Sequence, residues 1–315
     1  MHENRKTVPR ARRRAMSFKN AFKNLISHFG TVWSVLLYFV ICSAIITGLS
    51  LPFILPIVDA FDDAGVFAQV SSAFSALFND NGWNGLWTGL YEAYYKIVAV
   101  FTENSRIVSL TMAFLIFVVV VAFRFFFGLY EIPLATVLDG RLSCNADYGF
   151  GGKFFSTLSV SVRYTLMKMP ITILFDAITF GAVYGVGVLM GINVALPFAV
   201  IFIFVVFSSF KSAVLACWAP SVAGGMGVVK GFLRSAEICF KRFGSVYSSY
   251  FVTMLLMFAF GMFVAIFTLC VGLIVAVPFF TTTFAYLNIT VYYNKTGRRY
   301  YIDNTVYTPP VENTL

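Results

Sequence analysis

Three ionisable residues interrupt otherwise uncharged apolar runs: Arg124, Asp176 and Lys211. A charge inside a membrane-crossing segment is costly, so it marks a substrate or ion site, or a structural pair. Asp176 can pair with Arg124 or with Lys211 if the segments that carry them are neighbours. The three form the candidate substrate- or ion-binding set. All lie within about two helical turns of the same end of their runs, where long side chains carry charge to the interface at lower cost. A structural ion pair, or charges that simply snorkel, is the favoured reading, and a binding site the sharper alternative.

No other constellation offers chemistry. The only histidines are His2 and His28, too few for a histidine-based metal or catalytic centre. The phosphate-loop, H-E-x-x-H and G-x-S-x-G patterns are absent. Asp139-Gly140-Arg141 suggests a lipid phosphotransferase, but only Asp147 follows where further Asp residues are needed, so it is expected as a loop turn. The five cysteines show no metal-like spacing and are expected to be reduced. Asn288-Ile-Thr and Asn294-Lys-Thr fit a glycosylation pattern, but they are expected in the last span or on the cytoplasmic side, where they are inert. No enzyme activity, cofactor or metal is expected.

The elements that would position these residues follow from composition. Only 12% of the 315 residues are charged and 59% are hydrophobic. Soluble chains carry about 25% charged residues, so lipid is the expected solvent. Apolar runs at Val32–Val58, Ile107–Leu129, Ile171–Ile192, Val194–Trp218, Tyr250–Cys270 and Leu273–Tyr292 are each near the length needed to cross a bilayer as a helix. Between Lys168 and Lys211 the only charge is Asp176, and between Arg242 and Lys295 there is none. As single helices those stretches would run roughly 63 and 78 Å, against a hydrocarbon core of about 30 Å. Each must cross twice, turning at Met190–Asn193 and near Gly272.

Six spans place every Lys and Arg except Lys96 and Arg106 on one side, which the positive-inside rule makes cytoplasmic. Residues 1–16 form a basic tail, 17–293 the membrane domain and 294–315 a cytoplasmic tail. The N-terminal apolar run is too long for a signal peptide. The run "RKTVPRARRR" lacks the interleaved aromatics of a nucleic-acid platform; beside a membrane helix it is an orientation signal and an anionic-lipid contact. The loop at 59–106 is acidic and extracytoplasmic. Phe67, Val70, Phe74, Leu77 and Phe78, then Trp83, Leu86, Trp87, Leu90 and Tyr94, recur at helical spacing around "NDNGWNG". They predict two amphipathic helices capping the spans, with Trp83 and Trp87 at headgroup level; a ligand or partner surface is the sharper alternative.

"SFKNAFKNLISHFGTVWS" at 17–34 is echoed by "GFLRSAEICFKRFGSVYS" at 231–248, with Phe18/Phe232, Phe29/Phe243, Gly30/Gly244, Val32/Val246 and Ser34/Ser248 identical. Each predicts a short amphipathic helix in the cytoplasmic headgroup layer. Phe18, Phe22, Leu25, Ile26 and Phe29 make one apolar stripe, and Phe232, Ala236, Cys239, Phe240 and Phe243 the other. Lys19, Lys23 and Asn20, or Arg234, Lys241, Arg242 and Glu237, face the headgroups. Arg124/Lys211, Pro133/Pro220 and Gly140/Gly227 match at a second offset. The expected fold is therefore all-α, three hairpin units with cytoplasmic entrance helices, the middle one at Phe154–Met169. Gly181, Gly185, Gly187 and Gly191 make two G-x3-G patterns, expected to pack within the chain, with homodimerisation second.

The stretch "GFLRSAEICFKRFGSVYSSYFV", the apolar run with Gly272 and Pro278, and "VYYNKTGRR" resemble a group of bacterial six-span proteins. The group includes the membrane domain attached to some glycerophosphodiester phosphodiesterases. The resemblance covers the last third of the chain and implies a bacterial plasma-membrane location, without the phosphodiesterase activity, since no such soluble domain is present. The leading expectation is a non-enzymatic integral membrane protein that interacts with lipids or serves an envelope complex. The alternative is a small transporter or permease component using a polar site near Arg124, Asp176 and Lys211.

Overall fold

The computed structural model describes residues 10–77, 82–190, 195–302 and 305–309. Six stretches are helical, long and apolar enough to cross a membrane: Gly30–Asp63, Ser105–Cys144, Phe150–Met190, Leu196–Ala223, Phe243–Phe267 and Leu273–Thr296. They support a multi-pass membrane protein. The expected turn at Met190–Asn193 falls largely outside the described residues, as do Phe78 and the first nine residues of the basic tail. By contact the chain divides into two compact units, Ile41–Arg124 and Met1–Val40 with Phe125–Leu315.

The first unit holds the distal part of α2 (Gly30–Asp63), then α3 (Val66–Leu77), α4 (Gly82–Glu103) and α5 (Ser105–Phe114). A π-helical stretch, Leu115–Ala122, leads into α6 (Phe123–Phe126). Helices α3 and α4 pack through small residues. A Cβ on Gly89 would stand 2.5 Å from that of Ala73, so a side chain there would push the helices apart. Gln69 donates to the Glu92 carboxylate at 2.5 Å, and the Lys96 ammonium to the Gly65 carbonyl at 3.3 Å. With small residues taking the inner face, Phe67, Phe74, Trp83, Trp87, Tyr91, Tyr94 and Tyr95 are left exposed.

The second unit contains α1 (Arg10–Ser27), α7 (Glu131–Cys144), α8 (Phe150–Met190), α9 (Leu196–Leu215), α10 (Trp218–Ala223), α11 (Val228–Lys241), α12 (Phe243–Phe267) and α13 (Leu273–Thr296). Two antiparallel strands close it, β1 (Tyr300–Ile302) and β2 (Thr305–Tyr307), with Tyr300 opposite Tyr307. The alternation of aromatic and β-branched residues in "YYIDNTVY" favours this pairing.

Helix α7 lies in the middle of the core, with Ile132, Leu134, Val137 and Leu138 almost wholly buried. Asp139-Gly140-Arg141 is therefore helical, where the sequence suggested a loop turn. Asp139 accepts from the Tyr293 hydroxyl at 2.5 Å, the Tyr148 ring occupies the space a Gly140 Cβ would fill, and Arg141 pairs with Asp147.

Helix α1 begins at Arg10, inside the run assigned to the tail. Asn20, expected on the outward face, is buried with Ala21, Asn24 and Leu25, while Ile26 and Phe29 are exposed. The reason is polar docking. The Asn20 amide donates to the Tyr300 hydroxyl at 2.8 Å, that hydroxyl donates to Asn294, and the Asn294 amide donates to Ser17. In α11 the buried positions are Gly231, Ser235, Ile238 and Cys239, with Phe240 exposed, as is Phe243 at the start of α12. At the same offset that aligns the two sequences, Ala21, Asn24, Leu25 and Val32 correspond to Ser235, Ile238, Cys239 and Val246, and all eight are buried.

The middle entrance differs. Residues 154–169 are the first part of α8, one continuous helix of 41 residues with Pro170 inside it and no glycine break before the span. A Cβ on Gly181, Gly185 or Gly187 would meet nothing within 4 Å, so these three glycines do not make the expected close approach within the chain. At the α12–α13 turn the space is tight: a Cβ on Gly272 would lie 2.6 Å from the Thr268 hydroxyl and 2.7 Å from the Val264 side chain.

Candidate functional site

Helix α8 sets a polar stripe at one-turn intervals. Lys168, Thr172 and Asp176 are four residues apart and share a face. Facing them, α9 carries Lys211 and Ser212, and α13 carries Thr281 and Asn288. With Tyr130 and Glu131 at the start of α7, these residues line a cavity of about 220 Å³. Asp176 stands outside the cavity, at one end of an open groove of about 410 Å³ between α8 and α9. Lys211 lines both.

One ion pair lines the cavity and a second stands where the cavity meets the groove. Lys168 contacts both carboxylate oxygens of Glu131, and the Tyr164 hydroxyl donates to the same carboxylate at 2.8 Å. Tyr164 is fixed from behind by Trp218, ring centroids 4.9 Å apart, and the Trp218 indole donates to the Val228 carbonyl at 2.8 Å. The second pair is Lys211 with Asp176, at 2.6 Å. Removing one partner of either pair would leave the other charge uncompensated at a partly desolvated position. On α13, Asn288 accepts from the Tyr250 hydroxyl at 2.5 Å, which leaves its amide N–H groups as the available end. Tyr130 is held edge-on by Phe39, centroids 5.3 Å apart.

Of the three residues singled out by sequence, Asp176 and Lys211 are brought together. Arg124 sits in α6, in the other compact unit. Sequence reasoning missed Glu131, Lys168, Tyr164 and Asn288. Lys168 counted only as an orientation charge, and Asn288 only as an inert glycosylation motif. The available signal was Glu131, an acid directly before the uncharged, mostly apolar stretch 132–138.

The groove changes character along its length. Lys211 and Asp176 stand at one end, followed by Thr179 and Ser208, then Phe180, Val183, Phe204, Ile201 and Val200. Along α9, Val200 lies eleven residues from Lys211, or roughly 16 Å.

The interfacial candidates are placed as follows. Lys19, Lys23 and Lys241 are exposed, while Arg234 and Arg242 are half-buried. Arg234 and Lys241 both pair with Glu237, at 2.9 and 2.8 Å. Trp83 and Trp87 project from α4. Among the described residues no group of His, Cys, Asp and Glu is arranged to hold a metal ion. Comparison with known proteins gave no matching family model, no matching curated relative and no matching solved structure.

Proposed function

We propose that this chain is a lipid-binding protein of a bacterial plasma membrane that works by holding an amphiphile rather than by catalysis. The observation that carries the reading is the polarity gradient shared by α8 and α9. Both helices present charge and hydroxyls at the Lys168–Lys211 end and only apolar side chains towards Val183 and Val200. An amphiphile has the same gradient. Its head matches the polar end and its tail lies along the apolar length of the groove, held by van der Waals packing, since lipid tails are as apolar as the groove wall.

The six spans are proposed as three hairpins, with both termini cytoplasmic and α1 and α11 as entrance helices. Lys19, Lys23, Arg234, Lys241 and Arg242 would contact anionic headgroups there, each worth about 1 kcal/mol near such a surface. Trp83 and Trp87 would sit at the opposite interface. An envelope-complex partner or a second copy of the chain would use surfaces outside the groove.

The test is lipid retention by protein purified in mild detergent. Val183→Trp and Val200→Trp place an indole in the groove and are expected to release most of the lipid retained by the wild type, with the fold intact by thermal melt. Unchanged retention in both variants sinks the groove reading. One observation favours the second reading, a small transporter: the cavity is polar and reaches Lys211. That reading requires solute flux in proteoliposomes that Lys211→Gln abolishes.

A further inference from the structure

Resting on the lipid reading above, we infer that the cavity takes the phosphodiester group of a membrane phospholipid, a head with a single negative charge, while an acyl chain follows the α8–α9 groove. Two features define the chemistry. The first is hydrogen-bonding sense. Both Glu131 oxygens are engaged by Lys168, and one also accepts from Tyr164. The Asn288 oxygen is engaged by Tyr250. What remains towards the cavity is rich in donors: ammonium protons of Lys168 and Lys211 and the Asn288 amide, beside the lining hydroxyls of Tyr130, Thr172, Ser212 and Thr281, which both donate and accept. Phosphate oxygens are acceptors only, so donor excess selects them over amines or sugars.

The second feature is charge. Lys168 with Glu131, and Lys211 with Asp176, cancel in pairs. A site neutral overall and partly desolvated takes one added negative charge more readily than two, because each uncompensated charge there is penalised. That separates a phosphodiester from a phosphate monoester. Lys211 joins head to tail: it lines both the cavity and the groove. A head held at Lys211 therefore leaves its chain at the start of the apolar surface.

Native mass spectrometry of the purified protein tests this with four probes on the wild type: phosphatidylglycerol, diacylglycerol with the same chains, phosphatidic acid at alkaline pH, and inorganic phosphate. Phosphatidylglycerol is expected to bind at least about ten-fold more tightly than diacylglycerol, the scale of a charge-assisted contact. Phosphatidic acid should be weaker than phosphatidylglycerol, and phosphate alone should not displace it. Lys211→Gln should lower phosphatidylglycerol binding about ten-fold and leave diacylglycerol binding unchanged, with Lys211→Arg restoring much of the loss. Equal binding of diacylglycerol overturns the headgroup assignment but leaves lipid in the groove. Tighter binding of phosphatidic acid overturns the charge match. Displacement by inorganic phosphate at equal concentration overturns the lipid source. Retention of none of these lipids overturns this inference and the lipid reading together.

Discussion

At the residue scale, the ion pairs make the sharpest predictions. Asp176 and Lys211 keep side-chain exposures of 37% and 29%, so the pair is worth less than a fully buried one. Asp176→Asn or Lys211→Gln alone should cost about 1–2 kcal/mol. The double exchange Asp176→Lys with Lys211→Asp should recover part of it, read as melting temperature in detergent. An exchanged protein no more stable than either charge reversal made singly would show that the pair does not hold α8 against α9. Glu237 gives a pH prediction. Hydrogen bonds from Lys241 first, then Arg234, hold its carboxyl below the usual range. Its contribution is complete above the unfolded-chain value, near pH 4.3, and is lost as pH falls through the lower folded value. Glu237→Gln should flatten the acid limb of the stability profile below about pH 5; an unchanged limb assigns that limb to other carboxylates.

At the element scale, packing explains which parts of the fold were legible. Asp176 and Lys211 stood out because each was a lone charge in an uncharged run. Helix α7 did not, because Ile132, Leu134, Ala135, Val137 and Leu138 are buried all round it. A helix buried on every side has no polar face and hence no 3.6-residue period to read. The stripes of α1 and α11 were set partly wrong for a related reason: Asn20, Asn24 and Ser235 are polar yet buried, satisfied by distant hydrogen bonds that local spacing cannot reveal. The α3–α4 hairpin is the simplest element to break. Gly89→Leu should force the helices apart at Ala73 and cost about 1–3 kcal/mol, seen as faster proteolysis of residues 66–103. Unchanged cleavage would mean that the hairpin does not depend on that contact.

At the scale of the whole molecule, two exposed cysteines report on orientation. Cys144 ends α7 and Cys270 lies in the α12–α13 turn, both exposed. With cytoplasmic termini, a membrane-impermeant maleimide should label Cys270 in intact cells and Cys144 only after permeabilisation. The opposite pattern inverts the topology. Cys239, buried and with its thiol pushed up to about 11 by desolvation, should stay unlabelled at neutral pH in both conditions. The six span-length apolar helices were readable because hydrocarbon thickness sets the length such a helix needs. The cavity was not, since it gathers residues from α7, α8, α9, α10 and α13 whose proximity no local pattern encodes.

The clasp between α1 and β1 also has a consequence in time. Asn20 and Tyr300 are 280 residues apart in the chain. At a synthesis rate of about 5–20 residues per second, α1 waits roughly 15–60 s for the strand that completes its polar contacts. During that interval Asn20 and Asn24 need water or headgroups in place of their final partners. A chain stopped after Thr296 keeps the Ser17–Asn294 bond but lacks the Tyr300 hydroxyl and the Tyr301 carbonyl that Asn20 and Asn24 reach. Such a truncation should loosen α1, read as faster proteolysis of residues 10–27 than in the full chain, while the spans remain inserted.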